Sequence, residues 1–172
     1  QEFDRDYAHA TKFKPVKELP EAERATFQGY KRSDGRVGTR NFIAIVSTVN
    51  CSATVVHAIA DHFTKERLAA YPNVDGVAAF AHAMGCGMEM TGEPMDLLHR
   101  TLSGYIQHPN VAGALVVGLG CERCQVGGLF AAEDLTETPN LRTMIMQEQG
   151  GTRKTIERGI AIVEEMLAEA NK

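Results

Sequence analysis

Four short apolar runs recur along this chain, each followed by a stretch of helical periodicity, and that alternation leaves few architectures open. The runs are Phe42–Thr48 (FIAIVST), Gly76–Ala81 (GVAAFA), Val111–Leu119 (VAGALVVGL) and a weaker Leu141–Met146 (LRTMIM). They are continuous rather than alternating, the pattern of strands buried on both faces of a parallel sheet. Between and after them, 52–68 places Val55, Val56, Ile59 and Phe63 at helical spacing. The segment 94–107 does the same with Met95, Leu98, Leu102, Tyr105 and Ile106, and 153–169 with Ile156, Ile160, Val163 and Leu167. A helix over 126–135 is weakened by Gly127 and Gly128. The order β-α-β-α-β-α-β-α with right-handed crossovers predicts an α/β fold. It is a three-layer αβα domain, Rossmann-like or flavodoxin-like, with a mostly parallel sheet of about four to five strands.

The α/β pattern occupies residues 29–172, and 1–28 read as an N-terminal arm or linker with Pro15 and Pro20 and no sustained apolar period. A helical turn or two is expected from Pro20 (ELPEAERA), and a hairpin around Asp34-Gly35. The chain has 172 residues, the size of one domain with its own core. With 44% hydrophobic and 23% charged residues it is not a disordered chain. A net charge of −4 argues against nucleic-acid binding through a general basic surface. No apolar run reaches the roughly 20 residues that span a bilayer, and QEFDRDYAHATKFK has no apolar signal-peptide region. A cytoplasmic location is the expectation. Four cysteines are too few for a disulfide scaffold and direct attention to metal binding or catalysis.

Cys51, Cys86 and Cys121 each fall just beyond the end of a strand, at steps of 35 residues. In a parallel sheet those ends share one edge, where ligands bind in open α/β folds. Two readings stand open: a three-thiolate metal site with a free coordination position, or small residues in β–α turns. Cys124 completes a CxxC with Cys121, a redox pair or else a small residue in the next helix's first turn. His82, four residues before Cys86, is a candidate ligand or general base, or a hydrogen-bonded structural histidine. Gly118 and Gly120 lack the third glycine of a dinucleotide loop, since that place is Arg123. Arg36, Arg40 and Asn41 precede the first strand; they could receive an acidic substrate, or hold a turn at the edge opposite the cysteines. Glu89 and Glu93 flank the Cys86 turn as surface acids or acid–base groups.

The segments GYKRSDGRVGTRN, STVNCSA, FAHAMGCGMEMTGEP and HPNVAGALVVGLGCERCQV resemble the altronate/galactarate dehydratase family of sugar-acid dehydratases, from about Gly29 to the end of the chain. Gly38, Arg40 and Asn41 match a GxRN element, Cys51 a TVxC turn, and His82 and Cys86 an HxxxGC turn. Cys121, Glu122 and Gln125 match a GCExxQ element. The resemblance implies a hydro-lyase that removes water from an aldonic or aldaric acid to give a 2-keto-3-deoxy acid. It implies iron, as Fe2+ or an iron–sulfur cluster, ahead of zinc or manganese. The expected roles are Cys51, Cys86 and Cys121 for metal, His82 and Glu122 for catalysis, and Arg40, Asn41 and Gln125 for substrate. Two departures are Cys124, where relatives often carry Asn, and MTGEPMD, where the family can show an acidic, histidine-containing stretch. Family members are longer, with an SAF-type β domain before this segment and a catalytic region after it. The expected partners are therefore the sugar acid, those further regions of a longer chain and further copies in a homo-oligomer, with neither nucleic acid nor membrane. Such a segment on its own is expected to be inactive. The competing expectations are a non-catalytic scaffold or oligomerisation module of such an enzyme, and a thiol-redox or zinc-binding module.

Overall fold

The computed structural model describes residues 14–172. Of the arm expected over 1–28, residues 1–13 lie outside the described residues; 14–28 are exposed and hold one short 3-10 turn, Glu21–Glu23, directly after Pro20. A two-stranded antiparallel hairpin follows, β1 (Tyr30–Lys31) and β2 (Val37–Gly38). Gly35 turns it with φ +85, a left-handed conformation that glycine adopts without strain.

The remaining elements alternate as the apolar pattern predicts. They are β3 (Phe42–Ser47), α1 (Ala53–His62), α2 (Lys65–Leu68), β4 (Gly76–Phe80), α3 (Glu93–Ile106), β5 (Val111–Gly118), α4 (Val126–Ala132), β6 (Leu141–Ile145), α5 (Met146–Gln149) and α6 (Thr152–Ala170). The helix expected over 52–68 is two pieces, because the chain leaves helical geometry at Phe63 (φ −90, ψ 71). The bend lets the Phe63 ring drop into the core beside Val74.

The four long strands form one parallel sheet in the order β4-β3-β5-β6. Ile43 and Ile45 of β3 and Leu115 and Val117 of β5 face α1 and α6, while Ala44, Val46, Ala114 and Val116 face α3 and α4. Both faces are thus covered, which is why the strands carry no polar alternation. The exposed edge of β6 is partly closed by its own preceding loop: the Glu137 carboxylate accepts from Thr143 N–H at 2.8 Å, and Thr138 bridges Leu141. Such cover limits edge-to-edge association. No helix among the described residues is long and apolar enough to cross a membrane.

The strand order has a functional consequence. From β3 the chain steps to β4 on one side and then crosses to β5 on the other, so the topological switch point lies between β3 and β5. In open α/β sheets the crevice at the carboxyl ends of these two strands is the usual ligand position.

Candidate functional site

The turns after β3, β4 and β5 meet at that crevice and are bonded to one another through the backbone. Asn50 N–H donates to Met84 O at 3.0 Å, joining the first turn to the second. Arg123 and Cys124 N–H groups donate to Gly85 O at 2.8 and 3.1 Å, joining the second to the third. Ser52 Oγ donates to Val117 O at 2.9 Å, tying the start of α1 to the end of β5. Gly85 is the centre of this assembly. It sits at φ +99, and a Cβ there would lie 2.3 Å from Thr48 O.

Cys51, Cys86 and Cys121 stand one on each of these three turns, and all three are exposed. They share the C-terminal edge of three adjacent strands, as their phase predicts. Among the described residues, however, no three His, Cys, Asp or Glu side chains come together closely enough to hold a metal ion. Cys124 is different in kind: it is fully buried against α3 and α4, and burial, helped by the Glu122 charge, pushes its thiol up to about 11. A thiol so protonated at neutral pH is a poor nucleophile and a poor ligand. The CxxC therefore reads as one exposed and one packed cysteine.

Glu122 is 3% exposed and both its carboxylate oxygens accept hydrogen bonds. Oε1 accepts from Thr48 Oγ at 2.9 Å and from Leu119 N–H at 3.0 Å, and Oε2 accepts from Gly120 N–H at 2.6 Å. Gln125 is exposed at the same edge and its amide donates to Glu122 O at 3.1 Å. His82 is half-buried between these turns. Its Nδ1 accepts from Met84 N–H at 3.1 Å, so the other nitrogen carries the proton and donates to Ser47 O at 3.1 Å. Both ring nitrogens are occupied, leaving neither for a ligand or a substrate proton in this arrangement. Burial lowers the His82 pKa below its ordinary value, only partly offset by the bond to Ser47. A histidine held neutral stabilises the fold fully above pH 6.5, and that contribution is lost as pH falls through the window below it. The melting temperature is therefore expected to fall on acidification below about pH 6.5, and less steeply in His82→Gln; identical slopes in the two proteins would count against this.

Arg40 and Asn41 lie at the opposite, N-terminal edge. Asn41 is 1% exposed; its amide donates to Asn73 O at 2.8 Å and Ala170 O at 2.9 Å, and its oxygen accepts from Arg32 at 2.9 Å. Arg40 is exposed beside Asp75 at 3.9 Å. Neither is brought to the cysteine edge, because the loop before β3 does not fold back over the sheet. A cavity of about 1050 Å3 opens at this N-terminal edge, lined in part by Arg36, Arg142 and Lys172. Those cations are already paired with Asp34, Glu165 and Glu169, whereas Lys31 and Arg32, which also line the cavity, make no ion pair among the described residues.

A smaller cavity, about 850 Å3, lies at the cysteine edge between Cys86, Glu89, Met90 and Arg123. In the sequence Arg123 stands where a dinucleotide loop would carry its third glycine, and nothing else in that motif marks it. Its backbone is fixed by Gly85 O, and its guanidinium is exposed with Met90 Sδ at 3.2 Å as its hydrogen-bond partner. Its position directly after Cys121-Glu122 was the available signal.

Comparison with known proteins agrees with the resemblance. The family model described as "D-galactarate dehydratase/Altronate hydrolase, second domain" matches residues 29–171. The altronate dehydratase of Bacillus subtilis (strain 168) is 30% identical over 144 residues, covering 84% of this chain and 28% of that protein. The altronate dehydratase of Escherichia coli (strain K12) is 34% identical over 122 residues, covering 71% and 24%. The galactarate dehydratase (L-threo-forming) of the same strain is 32% identical over 160 residues, covering 90% and 31%. The chain thus spans under a third of the length of these relatives.

Proposed function

The chain belongs to the D-galactarate dehydratase/altronate hydrolase family, as its second domain, and from that premise we propose that it works within a hydro-lyase dehydrating a sugar acid to a 2-keto-3-deoxy acid. Altronate, galactarate or a related acid is the substrate class. The supporting observation is the set of three interlocked turns at the sheet's switch point, carrying three exposed thiols and an exposed arginine. The reaction must remove a weakly acidic proton next to a carboxylate and expel a poor leaving group. A cation on the substrate carboxylate lowers the first cost by stabilising the enediolate charge that develops there, while the departing hydroxyl needs a proton donor or Lewis acid of its own.

We assign the carboxylate to Arg123, whose planar guanidinium suits a two-oxygen acceptor. Cys86 lines the cavity that Arg123 enters, and Cys51 and Cys121 stand on the neighbouring turns of the same edge. Thiolate donors suit iron or an iron–sulfur cluster, which as a Lewis acid would supply charge stabilisation. The described residues do not by themselves gather three ligands. An iron at this edge would need donors from other regions of a family-length protein. Those regions, an SAF-type domain and a further catalytic region, would also provide the base. Exposed thiols on three turns accord with a reducing, cytoplasmic setting.

The test is formation of 2-keto acid from galactarate and altronate, comparing this chain alone with a protein that also carries the regions its relatives have. Turnover by the longer protein and none by the chain alone is expected. No turnover of any sugar acid by the longer protein would overturn the reading. In the active protein Arg123→Gln is expected to raise KM about tenfold or more, as loss of a charge-assisted contact to a carboxylate does, with Arg123→Lys intermediate. An unchanged KM would remove Arg123 from the site.

A further inference from the structure

Beside the Ser52 Oγ bond to Val117 O, the switch-point crevice is bridged by a side-chain-to-side-chain hydrogen bond between residues 74 apart, from Thr48 Oγ on the β3 turn to Glu122 Oε1 on the β5 turn. Both partners are buried, Thr48 completely. The same Glu122 carboxylate also gathers Leu119 and Gly120 N–H groups, so it fixes its own turn while holding the neighbouring one. Cys51 lies three residues beyond Thr48, and Cys121 directly before Glu122. Three of the carboxylate's roughly four acceptor positions are taken, by donors on its own turn and on the β3 turn. What it controls is the relation between the two cysteine-bearing turns. The β4 turn is tied separately, through Gly85 O and Met84 O.

We infer that Glu122 is a positioning residue. Through Thr48 it locks the turns after β3 and β5 together across the crevice, so that Cys51 and Cys121 present their thiols in one fixed arrangement. The inference rests on the cysteine edge being the reactive one, and it concerns how that edge is held rather than what it turns over. Thr48→Val keeps the shape of the side chain and deletes only its hydrogen bond, whereas Thr48→Ser keeps the bond.

The experiment uses the active, family-length protein with two readouts. The first is kcat and KM on galactarate and altronate; the second is the iodoacetamide alkylation rate of each cysteine, followed by mass spectrometry on protein shown to be folded by circular dichroism. Thr48→Val should lower kcat about tenfold or more with KM within about twofold, since small misplacements of reacting groups cost rate more than binding. Alkylation of Cys51 and Cys121 should change about fivefold or more while Cys86 stays within about twofold, and Thr48→Ser should restore both readouts. A merely structural bond would shift the melting temperature and leave kcat and alkylation unchanged in the folded protein, which would overturn the inference. Glu122→Gln, which keeps one acceptor oxygen, carries the same readouts where Thr48→Val does not fold. If the wild type turns over no sugar acid, the dehydratase reading fails and the alkylation pattern alone decides the positioning role.

Discussion

Gly85→Ala is expected to destabilise the domain by about 3–5 kcal/mol, the range of the more severe single substitutions. The residue is at φ +99, where an L side chain is strained, and its new Cβ would sit 2.3 Å from Thr48 O and 2.8 Å from Val49 Cα. Both are backbone atoms, so no side-chain rotation relieves the contact. Either the β4 turn moves away from β3, or the Gly85 carbonyl loses the Arg123 and Cys124 N–H groups. Gly87→Ala, two residues on, is the control: a Cβ there meets nothing within 4 Å. Chemical denaturation of the two variants beside the wild type measures the difference. Equal stability of Gly85→Ala and Gly87→Ala would show that the three turns are not locked through this point.

Asn41→Ala should cost about 2–4 kcal/mol, the sum expected when several buried polar groups lose their partners. The substitution strands Asn73 O, Ala170 O and one Arg32 N–H at a position that is 1% exposed. A drop in melting temperature of roughly 5–15 °C follows from the usual entropy of unfolding for a domain of this size. The same variant discriminates between roles for Asn41. A brace between β3, the end of α6 and the hairpin lowers the melting temperature and leaves KM for the sugar acid within about twofold. A substrate contact does the reverse. The geometry favours the brace, since the amide is saturated and stands at the far end of the sheet from the cysteines.

Much of the fold was legible because burial on two faces leaves a direct trace in composition. A strand such as β3 or β5 that must be apolar on both sides cannot alternate, and the turn residues that follow it fall in a fixed phase. That phase was enough to put Cys51, Cys86 and Cys121 on one edge. Which strands are neighbours was not readable, and the order β4-β3-β5-β6 is what makes the three turns adjacent. The two-piece helix after Cys51 was likewise hidden, because Phe63 keeps helical spacing while its backbone does not.

The candidate site divides along the same line. Residue type and local spacing depend on the chain near each position, so the cysteine turns and the hairpin at Gly35 could be read from a linear string. What Glu122, His82, Asn41 and Cys124 do depends on partners brought in from elsewhere. Glu122 meets Thr48 from 74 residues away, His82 meets Ser47 from 35, and Asn41 meets Ala170 from 129. The sequence shows a carboxylate, an imidazole and an amide, and the fold shows which partners their lone pairs and protons meet. Burial then fixes Cys124 as a protonated core residue and leaves Arg123, two positions past Cys121, exposed with its guanidinium at the cysteine edge. Hydrogen-bond saturation is a property of three-dimensional neighbours, and only folding supplies them.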